Sequence, residues 1–181
     1  MIAIIRKIND SKIIWRFLYY NFAIYLPRKT RMGGGISLKI RRLICKHIFD
    51  YCGQNVNIER GARFGAGTKI RIGNNSGIGV NAVIPNGSII GENVMMGPNC
   101  YIHERNHDFS RTDIPMIKQG YSSGKPVVID DDVWIGRDVT IMVGRHIAKG
   151  SIVAANCVLT KDFPEYSIIG GNPSKLIRSR V

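Results

Sequence analysis

The chain has 181 residues, the span of one ordinary domain, and 44% of them are hydrophobic, which excludes a disordered polymer. Lys and Arg number 26 against 13 Asp and Glu, a net charge of +13 that is unevenly spread: residues 1–50 carry +9 and residues 51–181 only +4. Cys45, Cys52, Cys100 and Cys157 form no CxxC pair, which argues against a zinc ribbon or redox motif and fits scattered reduced thiols in the cytosol.

Residues 1–50 form a basic segment with apolar residues at helical spacing, first Ile4, Ile5 and Ile8, then Ile14, Phe17 and Leu18. One or two helices are predicted there. Charges follow the first apolar residues too soon for a secretory signal, and the uncharged run Phe17–Leu26 is about half of what a membrane span needs. The expected location is therefore cytoplasmic. The +9 together with Trp15, Phe17, Tyr19 and Tyr20 suits peripheral contact with the inner face of the cytoplasmic membrane. No nucleic-acid-binding signature accompanies the charge, so nucleic acid is not an expected partner.

Residues 51–181 read as one body. After a transitional stretch around Ile58 and Phe64, every sixth residue is large and aliphatic: Ile72, Ile78, Ile84, Ile90, Met96 and Ile102. The pattern resumes at Ile129 and runs through Ile135, Ile141, Ile147 and Val153 to Leu159. Two positions before each lies a small or β-branched residue such as Ser76, Ala82 or Val133, with Arg145 the misfit. Positions i and i−2 share one face of a strand, so a period of six predicts short strands joined at corners, three hexads to a coil. Such a coil places Ile72 on Ile90, Ile78 on Met96 and Ile84 on Ile102, and pairs parallel strands without crossover helices. Glycine directly after the ladder residue, as at Gly73, Gly79, Gly91, Gly97 and Gly136, is expected to permit the corner. The expected fold is an all-β solenoid with a helical N-terminal segment and a C-terminal cap over residues 163–181, because exposed solenoid ends need covering.

The step from Ile102 to Ile129 is not a multiple of six. Residues 103–126 are therefore predicted to project as a loop, and two of the four histidines, His103 and His107, lie in it. Long loops on rigid scaffolds carry function.

The motifs Gly97-Pro98-Asn99, His107-Asp108, Gly124-Lys125-Pro126, Val133-Trp134-Ile135-Gly136, Thr160-Lys161-Asp162-Phe163-Pro164 and Gly170-Gly171-Asn172-Pro173 resemble the hexapeptide-repeat acyltransferases. The resemblance covers roughly residues 53–178. It is strongest to the maltose and galactoside O-acetyltransferases and to the enzymes that acetylate bacterial polysaccharides. It implies a left-handed parallel β-helix, a homotrimer with sites between subunits, and direct transfer of acetyl from acetyl-CoA to a carbohydrate hydroxyl without a metal. It also implies that His107 is the general base. A neutral imidazole is able to accept the hydroxyl proton as the oxygen attacks the thioester. Asp108, Glu104 or a backbone carbonyl would orient its other nitrogen. By the same resemblance Trp134, Gly136 and Ala155 flank the pantetheine arm, Thr160 and Lys161 meet the phosphates and adenine, and Lys175 and Arg178 supply tail cations.

One departure puts the acceptor in question. The family's acceptor-holding asparagine falls near Gly77 here, with Asn75 and Asn81 close by but out of register. The alternative is an acetyl-CoA-dependent N-acetyltransferase acting on an amino sugar, or a small-molecule (xenobiotic) acetyltransferase. A γ-carbonic-anhydrase-like metalloenzyme is a more distant reading, because His103 and His107 lack a third ladder histidine. Cys100 and Cys157, two residues before a ladder position, point into the core and are expected to be inert. His146 is expected to face outward.

Overall fold

The computed structural model describes residues 2–122 and 124–181, and side chains from residue 12 onward. From residue 51 the chain coils into a three-faced parallel β-solenoid. Face 1 has six rungs, at Tyr51–Cys52, Arg71–Ile72, Ile89–Ile90, Val128–Ile129, His146–Ile147 and the isolated bridge at Phe163. Face 2 runs from Asn57–Ile58 through Gly77–Ile78, Met95–Met96, Trp134–Ile135 and Ile152–Val153 to Ser167–Gly170. Face 3 carries Arg63, Val83, Tyr101–Ile102, Thr140–Ile141 and Val158–Leu159. Two-residue strands are enough here because each also bonds to the rungs above and below.

The expected stacking holds. Ile72 pairs with Ile90, and Val83 with Tyr101, as a coil of three hexads requires. The ladder residues fill the prism: Ile72, Ile78, Ile84, Ile102, Ile129, Ile135 and Ile141 are all at most 2% exposed, and of the series only Met96 is half-buried. The residues two positions earlier line the same core. Arg145, the misfit, turns outward to Asp162 at 3.5 Å and to the Thr160 carbonyl at 3.3 Å. The first coil is longer than three hexads, pairing Tyr51 with Arg71 and Asn57 with Gly77. The break after Ile102 is an insertion: Ile102 pairs with Ile141, where an uninterrupted coil would have set it beside Gly120.

The corners work differently from the sequence expectation. The residue in the left-handed region is three positions after each ladder residue: Asn75, Asn81, Gly87, Asn93 and Asn99, then Asp132, Asp138, Gly144, Gly150 and Asn156. Asn and Asp bear that conformation better than other residues with side chains. Their amides also stack, as where Asn81 Nδ2 donates to Asn99 Oδ1 at 3.2 Å and Asn99 Nδ2 donates to Asp138 Oδ1 at 2.8 Å. The glycines directly after the ladder serve close packing between coils. A Cβ on Gly79 would stand 2.0 Å from the Gly97 carbonyl oxygen, and one on Gly73 would stand 2.6 Å from Gly91.

Two helices, α1 (Ile2–Asn21) and α2 (Gly34–Ile48), pack together over the first coil. Tyr19 is fully buried, 4.5 Å from the Phe64 ring, and its hydroxyl donates to the Ala62 carbonyl at 2.9 Å. Arg41 is also fully buried and donates to the carbonyls of Ile58, Leu26 and Pro27. One charge of the basic segment is thus a structural strut between α2, the connector and the first coil. The aromatic residues read as a membrane-facing set divide. Tyr19 is core, Trp15 stacks on His47 at 4.2 Å, and the Tyr20 hydroxyl donates to the Gly65 carbonyl, which leaves Phe17 as the one that is mostly exposed. At the other end, Lys175–Ser179 turns back antiparallel on Ser167–Gly170 and closes face 2. No described helix is long and apolar enough to cross a membrane.

These contacts predict opposite outcomes for two glycine substitutions. Gly79→Ala lowers thermal stability by about 2 kcal/mol or more through backbone overlap, whereas Gly35→Ala, with open space around its Cβ inside α2, leaves it unchanged or raised. Thermal unfolding of both variants checks the pair, and an unaffected Gly79→Ala protein would contradict the coil contact.

Candidate active site

The inserted loop leaves the corner between faces 3 and 1 and folds into a hairpin in which Asn106–His107 pairs antiparallel with Tyr121–Ser122. His107 is exposed, with its ring 4.3 Å from the Tyr121 ring and tilted by 34°. The Arg105 guanidinium lies 4.0 Å from the same ring. Residues 105 and 107 share a strand face by alternation, and both pack on Tyr121. The sequence did not point to Tyr121, because the pairing that brings it to His107 is non-local.

The structure does not bring the two candidate carboxylates to the imidazole. Asp108 Oδ1 accepts the Ser110 N–H at 2.9 Å, and that bond holds its carboxyl below the usual carboxylate range. Glu104 accepts from Asn86 Nδ2 at 3.4 Å. His103 is half-buried and packs edge-on against Tyr101 at 4.8 Å, separate from His107. His146 faces outward and meets Asp130 at 2.8 Å. Among the described residues no three His, Cys, Asp or Glu side chains converge as a metal site.

The residues expected to hold the acyl donor fall into three places. Thr160 and Lys161 occupy the corner from which the loop emerges, two coils further along. The Ser174 hydroxyl accepts the Thr160 N–H at 3.0 Å and lies 3.1 Å from Thr160 Oγ1, so the tail is pinned to this corner. Lys161 stays exposed, with Nζ 5.5 Å from the Phe163 ring. Trp134 lies on face 2 between Met95 and Ile152, half exposed. Lys175 and Arg178 lie on the closing strand of that same face, opposite Gly170 and Ile168. Gly136 and Ala155 share the corner after face 2. A Cβ on Gly136 would stand 2.5 Å from the Ala155 nitrogen, so this corner is nearly bare backbone. Lys161, Lys175 and Arg178 take part in no ion pair among the described residues, which leaves three cations for an anionic ligand.

Face 2 also holds a polar cleft of about 310 Å³ at its N-terminal end, lined by Lys29, Asn57, Glu59, Asn75, Gly77 and Met95 among others. Asn57 pairs directly with Gly77, so an amide lies on the rung next to the position where the register places glycine. Asn57 Nδ2 donates to Glu59 Oε1 at 3.1 Å, while its Oδ1 is buried with no hydrogen-bond partner among the described residues. A buried unpaired acceptor of this kind is costly unless a ligand or solvent satisfies it.

The cysteines offer no nucleophile. Cys100 Sγ lies 3.2 Å from the carbonyl oxygens of both Gly97 and Gly136, and burial pushes its thiol up to about 11. Burial also raises Cys157 and Cys45, and pushes Cys52 up to about 11.

Residues 69–104 match the family model "Bacterial transferase hexapeptide (six repeats)", and residues 126–161 match "Hexapeptide repeat of succinyl-transferase". The projecting loop falls between the two matches. The chain is 36% identical over 137 residues to a putative acetyltransferase of Saccharomyces cerevisiae, covering 75% of this chain and 68% of that protein. It is 31% identical over 140 residues to the galactoside O-acetyltransferase of Escherichia coli, covering 76% and 68%. It is also similar to the structure of a hexapeptide-repeat acetyltransferase from Vibrio cholerae O1 biovar eltor complexed with acetyl coenzyme A, with a TM-score of 0.72, 27% identity, and 98% and 89% of the two chains covered.

Raised thiol pKa values predict that the folded protein resists iodoacetamide at mildly alkaline pH, since thiolate is scarce well below about 11. Mass spectrometry should find slow labelling that accelerates only in denaturant. Rapid native labelling of Cys100 would contradict its burial.

Proposed function

Because the chain belongs to the hexapeptide-repeat acetyltransferase family, we propose that it moves acetyl from acetyl-CoA to a carbohydrate hydroxyl with His107 as general base. Face 2 supplies the main support. In one line along the solenoid it carries the amide-lined cleft at Asn57 and Gly77, then Met95 and Trp134, then the cations of the closing strand. Amides and a carboxylate beside methionine suit a polyhydroxylated ring, which needs directional hydrogen bonds around an apolar patch. The cations suit the phosphates of CoA, and the bare corner at Gly136 and Ala155 gives its pantetheine arm access to backbone groups.

In the reaction, a neutral His107 nitrogen accepts the acceptor's hydroxyl proton while the oxygen attacks the thioester carbonyl. The carbon–sulfur bond then breaks, and the imidazolium returns the proton to the CoA thiolate. Backbone N–H groups stabilise the oxyanion between these steps. Tyr121 and Arg105 restrict the histidine's orientation from one side.

The site is shared between copies of the chain. His107 stands on a hairpin at the corner of faces 3 and 1, while Trp134, Lys175 and Arg178 lie on face 2. The hairpin exposes Phe109, Met116 and Ile117, apolar side chains suited to lying on a neighbour. A threefold homo-oligomer seats each hairpin on the next copy's face 2, closing as a ring.

Transfer of labelled acetyl from acetyl-CoA to a panel of neutral and amino sugars tests this reading. His107→Ala should lower kcat by about 10²–10⁴ with little change in KM for acetyl-CoA. Asn57→Ala should raise KM for the acceptor alone. Full activity in His107→Ala would overturn the base assignment, and transfer confined to amino groups would replace O-acetylation with N-acetylation.

A further inference from the structure

Most of the N-terminal charge lies outside the acetyl-transfer reading. Arg41 is buried as a strut, but Arg28, Arg31 and Arg60 line an open cleft of about 410 Å³ together with Tyr25, Pro27 and Met32. No described acidic residue lines this cleft, and none of the three arginines takes part in an ion pair among the described residues. The turn that presents two of them is fixed by backbone bonds: the Arg31 N–H donates to the Arg28 carbonyl at 3.0 Å, and the Gly34 N–H to the Arg31 carbonyl at 2.8 Å. Three guanidiniums around a cleft match phosphate oxygens, which accept paired N–H donors.

The rim of the cleft is apolar and exposed. Met32 is 98% exposed and Tyr25 is 64% exposed. Three residues before Tyr25 lies Phe22, just past the end of α1, which completes an outward stripe begun on α1 by Ile14 and Leu18, spaced four apart and continued sideways by Phe17. The opposite side of α1, with Tyr19, packs on the solenoid. An apolar ridge that runs into a cationic cleft is unusual for a surface meeting only water.

We propose that this ridge and cleft dock the protein on an anionic phospholipid bilayer, with Phe22, Tyr25 and Met32 entering the headgroup–acyl boundary and lipid phosphates occupying the arginine cleft. Both halves of the surface are matched by that one partner. A second copy is the poorer match, because a twofold contact of this surface with itself would set like-charged clefts against each other. The proposal is independent of acetyl transfer, although Lys29 and Glu59 of the face 2 cleft are the immediate chain neighbours of Arg28 and Arg60, so docking would hold that cleft close to the membrane.

Co-sedimentation of the full chain with vesicles tests the proposal, using phosphatidylcholine alone and phosphatidylcholine containing one third phosphatidylglycerol. Binding should need the anionic lipid and weaken as salt rises. The charge variant Arg28→Gln/Arg31→Gln/Arg60→Gln should lose about tenfold or more in partitioning. The ridge variant Leu18→Ser/Phe22→Ser/Met32→Ser should lose a similar factor, with a retained circular dichroism spectrum showing that its exposed positions leave the fold intact. Equal partitioning of wild type and both variants would overturn the proposal. So would no binding to anionic vesicles, or a drop in oligomer mass of the ridge variant without lipid, which would assign the ridge to a second copy. Inorganic phosphate competing as well as vesicles do would assign the cleft to a free anion and equally overturn the bilayer.

Discussion

Every coil of this protein must lie within one backbone hydrogen bond of the next, about 4.8 Å away. That spacing dictates most of the architecture. It demands glycine where corners would otherwise collide, as at Gly79 over Gly97 and Gly136 under Ala155. It demands a left-handed residue three places after each ladder side chain, and Asn or Asp at those places let the corners bond to one another. It leaves an interior filled by the ladder side chains and the smaller residues two positions before them. A scaffold this repetitive has little freedom to build a pocket within its core, so functional groups collect on a face, at a corner or on an insertion.

In the proposed reading, the face, the corner and the insertion each carry part of the machinery. Face 2 aligns a cleft with an unpaired amide oxygen, a half-exposed tryptophan and the cations of the closing strand. The bare corner beside it runs parallel to that line. The insertion carries His107 on a hairpin that starts from a different corner. The proposed shared site uses a second copy of the chain to bring these parts together, with the apolar side chains of the hairpin as the contact.

The ladder was readable from sequence because a period of six is local and recurs in phase over many coils. The roles of the corner residues were not, because the glycine after each ladder residue and the asparagine two places later repeat with the same period. Only positive φ values and inter-coil distances separate them. Asn57 was hidden by the longer first coil: counting back three hexads from Gly77 reaches Glu59, whereas the strands pair Gly77 with Asn57. Tyr121 was hidden by the hairpin, which no periodicity marks. The aromatic residues of the first helix were visible, but their orientation was not, and Tyr19 proved to be core while Ile14, Leu18 and Phe22 face out.

The proposed acetyl-transfer site is divided between His107 of one copy and the donor-binding face of another. Mixed assemblies test it most directly. Subunits carrying His107→Ala are co-refolded in equal amounts with subunits carrying the face 2 substitutions Lys175→Ala/Arg178→Ala. A shared site predicts recovery to roughly a quarter of wild-type activity, the chance that an interface joins two intact halves in a ring. No recovery from assemblies proven to be mixed would contradict the account and confine the site to a single chain.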